Sequence, residues 1–153
     1  MAKSFISYKG KGFWLNDAWS EMIAQILIEQ LNSNELNPVW TPLFHRQLES
    51  IAKGFFPGFV NFGFDDYLIT NDDVNYLLDL IESSIKKLNK VDLLSHDTFI
   101  ELFKGNPQFD RRWDISIESY RIINIFTLLK NIILGKQGYL STDKVDYDNW
   151  SMK

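Results

Sequence analysis

Five phenylalanines fall within ten residues, Phe55, Phe56, Phe59, Phe62 and Phe64, interleaved with Pro57, Gly58 and Gly63. Glycines let a chain turn tightly, and this many rings hold more apolar surface than a solvated loop should show. The rings either plug one end of the core or stand out as anchors for another protein, because aromatic side chains dominate the energy of protein–protein contacts. A run of acids comes directly after them. From Asp65 to Glu82 the chain holds Asp65, Asp66, Asp72, Asp73, Asp79 and Glu82 and no Lys or Arg, so this segment carries −6 and the remainder +2. Asp72 and Asp73 suit the positive end of a helix dipole, and Glu82 has Lys86 four residues on. The Asp65–Asp66 doublet beside the rings is left over, and an acidic surface next to exposed rings would steer and hold a basic partner.

Other chemistries find less support. There is no cysteine, which excludes disulfide scaffolds, zinc fingers, iron–sulfur clusters and thiol nucleophiles. His45 and His96 lie far apart, with no His-Glu-x-x-His, Gly-x-Ser-x-Gly or Gly-rich phosphate loop to accompany them. The acids lack the Asp-x-Asp-x-Asp-Gly alternation of a calcium loop. No metal, cofactor or catalytic residue is therefore expected, although distant acids meeting in space would leave glycoside chemistry open. Arg111-Arg112-Trp113 forms a small basic and aromatic patch, for a phosphate or acid or as an internal answer to the acidic helix.

The elements that must position these residues come from a chain of 153 residues, about one domain. Apolar residues make up 45% and aromatics 15%, enough to bury a core and to exclude a disordered tail. The charge of −4 and pI near 5.1 oppose a nucleic-acid binder that works by neutralising phosphates. Met1 to Gly12 lacks the apolar stretch of a secretory signal. Ile122 to Leu134, interrupted by Asn124, Thr127, Lys130 and Asn131, is too short and polar to span a bilayer. A cytoplasmic protein with no membrane contact is expected.

Periodicity and end signals predict five helices in a single all-α domain over 1–153. The first is capped by Asn16, with Asp17 in its first turn. The second starts with Asn37 and Pro38 and runs to Gly54. The third has Thr70 and Asn71 as capping residues, Val74, Leu77, Leu78, Ile81, Ile85 and Leu88 on one face, and Lys86, Lys87 and Lys90 at its end. The fourth begins near Ser95 and stops at Gly105-Asn106-Pro107. The fifth runs from about Asp114 to Leu134 and is apolar nearly all round, which predicts a central place in the bundle. Residues 1–12 are expected as an N-terminal arm and 138–153 as an irregular C-terminal arm. Ser4 to Tyr8 alternate weakly and suit a short strand against that arm.

Two stretches resemble a known group. Gly12-Phe13-Trp14, two residues and then Asp17 open the first helix, and Gly63-Phe64-Asp65-Asp66 precedes the capped third helix. This order resembles a widespread group of small bacterial helical proteins, over roughly residues 10 to 90. In that group Trp14 reads as a core anchor and Asp17 as a first-turn acid. Some such proteins look like the immunity partners of polymorphic or contact-dependent toxins. The resemblance implies a non-enzymatic protein that neutralises a cognate toxin by masking its active or substrate-binding surface. Asp65, Asp66, Asp72 and Asp79 would then complement a basic toxin, and Phe59, Phe62 and Phe64 would supply apolar anchors. The alternatives are a small-ligand-binding domain or enzyme, with a pocket between the Phe loop and the fifth helix, and a scaffold that self-associates through its rings.

Overall fold

The computed structural model describes residues 2–34, 36–105, 116–136 and 138–140. It opens on a β-hairpin, not a helix. Strand β1 (Lys3–Tyr8) pairs antiparallel with β2 (Lys11–Asn16), with Tyr8 opposite Lys11 and Ile6 opposite Phe13. The linking residues Lys9 and Gly10 both have positive φ, 52° and 80°. That is the backbone of a tight turn whose twist matches the strands it joins. Alternation then decides which side chains go in: Ser4, Ile6 and Tyr8 are buried, with Phe13 and Leu15 opposite, whereas Phe5 and Trp14 pair on the outer face with ring centroids 5.4 Å apart.

The expected all-α class is therefore wrong. Among the described residues six helices accompany two small two-stranded antiparallel sheets, so the fold is mixed. The error lies in β1 and β2. In the expected arm over 1–12, residues 3–12 belong to the hairpin, whose inner face is part of the core. Gly12-Phe13-Trp14 is a strand, and Trp14 is half-buried instead of a core anchor. The Ser4–Tyr8 strand exists, but its partner is β2. Of the expected arm over 138–153, residues 138–140 reach the other edge of β2, where Gly12 and Tyr139 exchange backbone hydrogen bonds of 2.8 Å each, and residues 141–153 lie outside the described residues. Gly12 has no alternative here, since a Cβ would sit 1.8 Å from the Ile6 carbonyl oxygen.

Helix α1 (Asp17–Asn32) begins as predicted, with the Asn16 side chain accepting from the Ala18 N–H at 2.8 Å. Thirteen of its sixteen residues are buried. The hairpin and helices α2 (Thr41–Ala52), α4 (Asn71–Leu88), α5 (His96–Phe103) and α6 (Ser119–Ile133) all contact it. The central helix is thus α1. The predicted fifth helix corresponds to α6, which keeps Tyr120 and Thr127 exposed and Arg121, Asn124, Lys130 and Asn131 half-buried. Asp114 and Ile115, where it was expected to start, lie outside the described residues. No described helix is long and apolar enough to cross a membrane.

Helix α2 starts at Thr41 with Pro42 in its first turn; Pro38 belongs to the preceding turn, where its carbonyl accepts from the Thr41 N–H. One turn of helix, α3 (Phe64–Tyr67), precedes α4. The cap of α4 is reciprocal: the Thr70 hydroxyl accepts from the Asp73 N–H, and the Asp73 carboxylate accepts from the Thr70 N–H. Asp73 also accepts from the Trp40 indole at 2.9 Å. The Trp40 ring packs on Phe44, Tyr67 and Tyr76, which ties α2 to α3 and α4. A two-residue strand β3 (Leu93–Leu94) pairs with β4 (Ile117–Glu118), and α5 ends on Lys104 with φ of 56°. Asn106 and Pro107, expected to stop it, lie outside the described residues. Glu82 pairs with Lys130 of α6 instead of Lys86.

Gly12→Ala, which forces a methyl into the Ile6 carbonyl, is expected to lower stability by about 2–3 kcal/mol in urea unfolding. The Asp73 carboxyl is held below the usual aspartate range, first by the Trp40 indole and then by the Thr70 N–H. Its contribution is present above the unfolded-state pKa and disappears as pH falls through the lowered native value. The stability gap between the wild type and Asp73→Asn is therefore expected to be full at neutral pH and to close in acid, as read by urea unfolding at stepped pH.

Candidate functional site

Gly54, with φ of +75°, ends α2 and sends the chain into the aromatic loop. The loop is divided between core and solvent. Phe62 and Phe64 are 2% exposed and stack on each other at 5.5 Å, inside the core. Phe55, Phe56 and Phe59 are 64%, 42% and 83% exposed. Of the predicted anchors, only Phe59 faces outward. Phe62 and Phe64 cannot touch a partner in this conformation, because Val60, Phe62 and Phe64 turn inward together. Phe55 and Phe56 were missed as individual anchors: five rings in succession announce apolar surface, but not which ring points where.

The exposed rings sit on a fixed frame. Asp17, in the first turn of α1 and 8% exposed, accepts from the Ser4 hydroxyl at 2.6 Å and from the Gly58 N–H at 2.6 Å. The Ser4 hydroxyl in turn accepts from the Val60 N–H at 2.9 Å. One buried carboxylate thus joins hairpin, helix and loop, at a helix N-terminus that favours its charge. On the other side Gln47 of α2 donates to the Asn61 carbonyl and accepts from the Tyr67 hydroxyl at 2.7 Å. Asn61 closes a short turn by accepting from the Gly63 N–H at 2.8 Å. The loop is held at Gly58, Val60 and Asn61 while the rings between and before those points remain in solvent. A fully exposed Phe forgoes roughly 2 kcal/mol of burial, so Phe59 contributes little to the fold that presents it.

The acids are distributed differently from the expectation. Asp65, Asp66, Asp72 and Asp79 are all exposed, on α3 and α4. Asp65 accepts from the Lys9 N–H at 2.8 Å, which fastens α3 to the hairpin turn. Asp72 and Asp79 lie two turns apart on one face of α4. Cations and α1 acids stand beside the exposed rings instead: Lys53 lies 5.9 Å from the centre of the Phe55 ring, Arg46 lines a cleft with Phe56 and Phe59, and Asp17 and Glu21 line the cleft on the other side of Phe56. None of Asp65, Asp66, Asp72 and Asp79 lines the clefts beside the rings, because those clefts border α1 and α2 and not α3 and α4.

Neither histidine stands at a site of this kind. His45 contacts Glu49 at 2.6 Å and Asn32 at 3.1 Å, so both ring nitrogens are engaged between α1 and α2. The four-residue spacing of His45 and Glu49 was the overlooked signal. Nearby Glu29 has its pKa raised, chiefly by burial and opposed by the charge of His45. His96 lies 3.6 Å from Asp97. Among the described residues no three His, Cys, Asp or Glu side chains could hold a metal ion together. Arg111, Arg112 and Trp113 lie outside the described residues. The clefts beside the Phe loop are shared with α2 and with the start of α1, whereas α6 lines a separate cleft with Tyr8, Lys9 and Lys11.

Asp17→Ala removes the acceptor of two hydrogen bonds and is expected to cost roughly 2–3 kcal/mol. Hydrogen exchange should accelerate at Gly58 and Val60 more than in α4. Uniform acceleration would show that Asp17 supports the whole fold and not the loop in particular.

No protein-family model, curated protein or solved structure matches this chain.

Proposed function

We propose that this chain is a non-enzymatic protein-binding module that acts as an immunity protein, neutralising a cognate bacterial toxin by covering its active or substrate-binding surface. One observation supports this above others: Phe55, Phe56 and Phe59 stand exposed on a loop that Asp17, Ser4 and Gln47 hold in place. Large apolar rings in water do not stabilise the monomer, and a rigid frame spares a binder the entropy of ordering its own contact residues. Exposed aromatics with an adjacent arginine are the composition of an interface centre. The exposed Asp66, Asp72 and Asp79, with the net charge of −4, favour long-range attraction of a partner that is basic overall. The same rings would also serve self-association, which light scattering reads as a concentration-dependent mass.

The test is capture of the tagged chain's partner from its native host, followed by growth assays. The captured protein should inhibit growth when expressed alone, and co-expression of the wild type should relieve that inhibition. A Phe55→Ala/Phe59→Ala double variant should unfold at the same urea concentration as the wild type yet give no relief. A captured partner that does not inhibit growth would remove the immunity role. Relief undiminished by the double variant would remove the aromatic loop from the interface.

A further inference from the structure

The cleft beside the exposed rings has a chemistry of its own. It has a volume of about 380 Å³ and is lined by Arg46, Gln47 and Ser50 of α2 and by Phe56, Phe59 and Asn61 of the loop. Most of its polar atoms are already committed within the fold. Gln47 is engaged at both ends of its amide, by the Tyr67 hydroxyl and the Asn61 carbonyl. Asn61 Oδ1 accepts from the Gly63 N–H, and the Ser50 hydroxyl donates to the Arg46 carbonyl. Two groups remain: among the described residues neither the Arg46 guanidinium nor the Asn61 Nδ2 has a hydrogen-bond or ion-pair partner. Both are donors. The cleft therefore presents two solvent-facing donors beside two exposed rings.

We propose that this cleft binds a short acidic, apolar segment of the protein partner, with a carboxylate on Arg46 and an aliphatic or aromatic side chain against Phe56 and Phe59. This rests on the protein-binding function proposed above and names what that surface takes. A guanidinium matches a carboxylate with two parallel hydrogen bonds, and flanking rings that exclude water strengthen the pair. The face continues along α2 to the exposed Leu43, one turn before Arg46 and Gln47. From Leu43 to Ser50 the helix advances roughly 10 Å, room for a few residues of an elongated segment. A partner that is basic overall, drawn in by Asp66, Asp72 and Asp79, can still seat one acidic segment here, because long-range attraction and local pairing act on different scales. A single-stranded nucleic acid would meet the same donors and rings, but the net charge of −4 opposes it.

The test uses the immobilised full chain and a displayed library of short random peptides, selected in parallel on the wild type, Arg46→Glu and Phe59→Ala. The wild type should enrich peptides with Asp or Glu beside Leu, Ile or Phe. A synthetic peptide of the winning sequence should lose at least about tenfold in affinity on Phe59→Ala and on Arg46→Gln. Arg46→Glu should enrich peptides with Lys or Arg in that place. Both positions are exposed, and unchanged urea unfolding of each variant confirms that the fold is kept. Peptides that depend on Phe59 but carry no acid, or ignore Arg46→Glu, would overturn the acidic ligand and leave the protein-binding function standing. Enrichment of nothing that depends on Phe59 would overturn the acidic segment, while the capture and growth assays decide the protein-binding function separately. Tighter binding of a mixed-sequence single-stranded oligonucleotide through Arg46 and Phe59 would overturn the peptide in favour of nucleic acid.

Discussion

The Asp17 carboxylate is the point on which the architecture turns. It sits in the first turn of the central helix, where the backbone N–H groups favour negative charge, and it is almost fully buried. A buried carboxylate needs donors, and here they come from two distant parts of the chain, the Ser4 hydroxyl of β1 and the Gly58 N–H of the aromatic loop. The Asp17 N–H is satisfied as well, by the carbonyl of Ala2 at 3.0 Å. Hairpin, helix and loop are thereby fixed to one another by a few short hydrogen bonds. Removing one partner leaves the others buried and unpaired, which makes the cluster cooperative.

This anchoring explains how one stretch of five rings can serve two purposes. Past Val60 the chain dives inward, and Phe62 and Phe64 stack within the core beside Leu68. Before Val60 it is held at the surface, so Phe55, Phe56 and Phe59 have no core to enter. The two halves are fixed by different bonds: backbone donors to Asp17 and Ser4 on one side, and the Gln47 amide on the other. A loop that was merely apolar would collapse onto the nearest groove. This one is prevented from doing so.

Electrostatics divides the surface in a similar way. Asp65 and Asp73 are engaged by backbone or side-chain donors and act within the fold. Asp66, Asp72 and Asp79 remain exposed on the side formed by α3 and α4. The outward rings instead border α2 with its Arg46, Lys53 just past its end, and the start of α1 with Asp17 and Glu21. Acids acting over a distance and cations acting at contact are compatible on one small protein, because screening over about 10 Å keeps the two fields largely separate.

Local interactions were legible in the residues. The Asn16 cap, the Thr70–Asp73 end of α4, the apolar face from Val74 to Leu88 and the start of α5 at Ser95 each depend on residues within one or two turns. The hairpin was not legible, because its turn uses Lys9-Gly10 in place of the usual Asn-Gly, and β2 runs straight into α1 with no break in apolar content. Composition also misplaced the central helix: α6 is richer in Ile and Leu, yet α1 is the one enclosed, since burial depends on how many elements surround a helix. At the candidate site, the order of residues was enough to show an aromatic loop after α2 and a run of acids after the loop. Which rings face water, which acids are engaged within the fold, and that Arg46 lies beside Phe56 and Phe59 were settled by packing in three dimensions. Those outcomes depend on contacts such as Asp17 with Gly58, between residues 41 positions apart, and no local pattern of residue types encodes them.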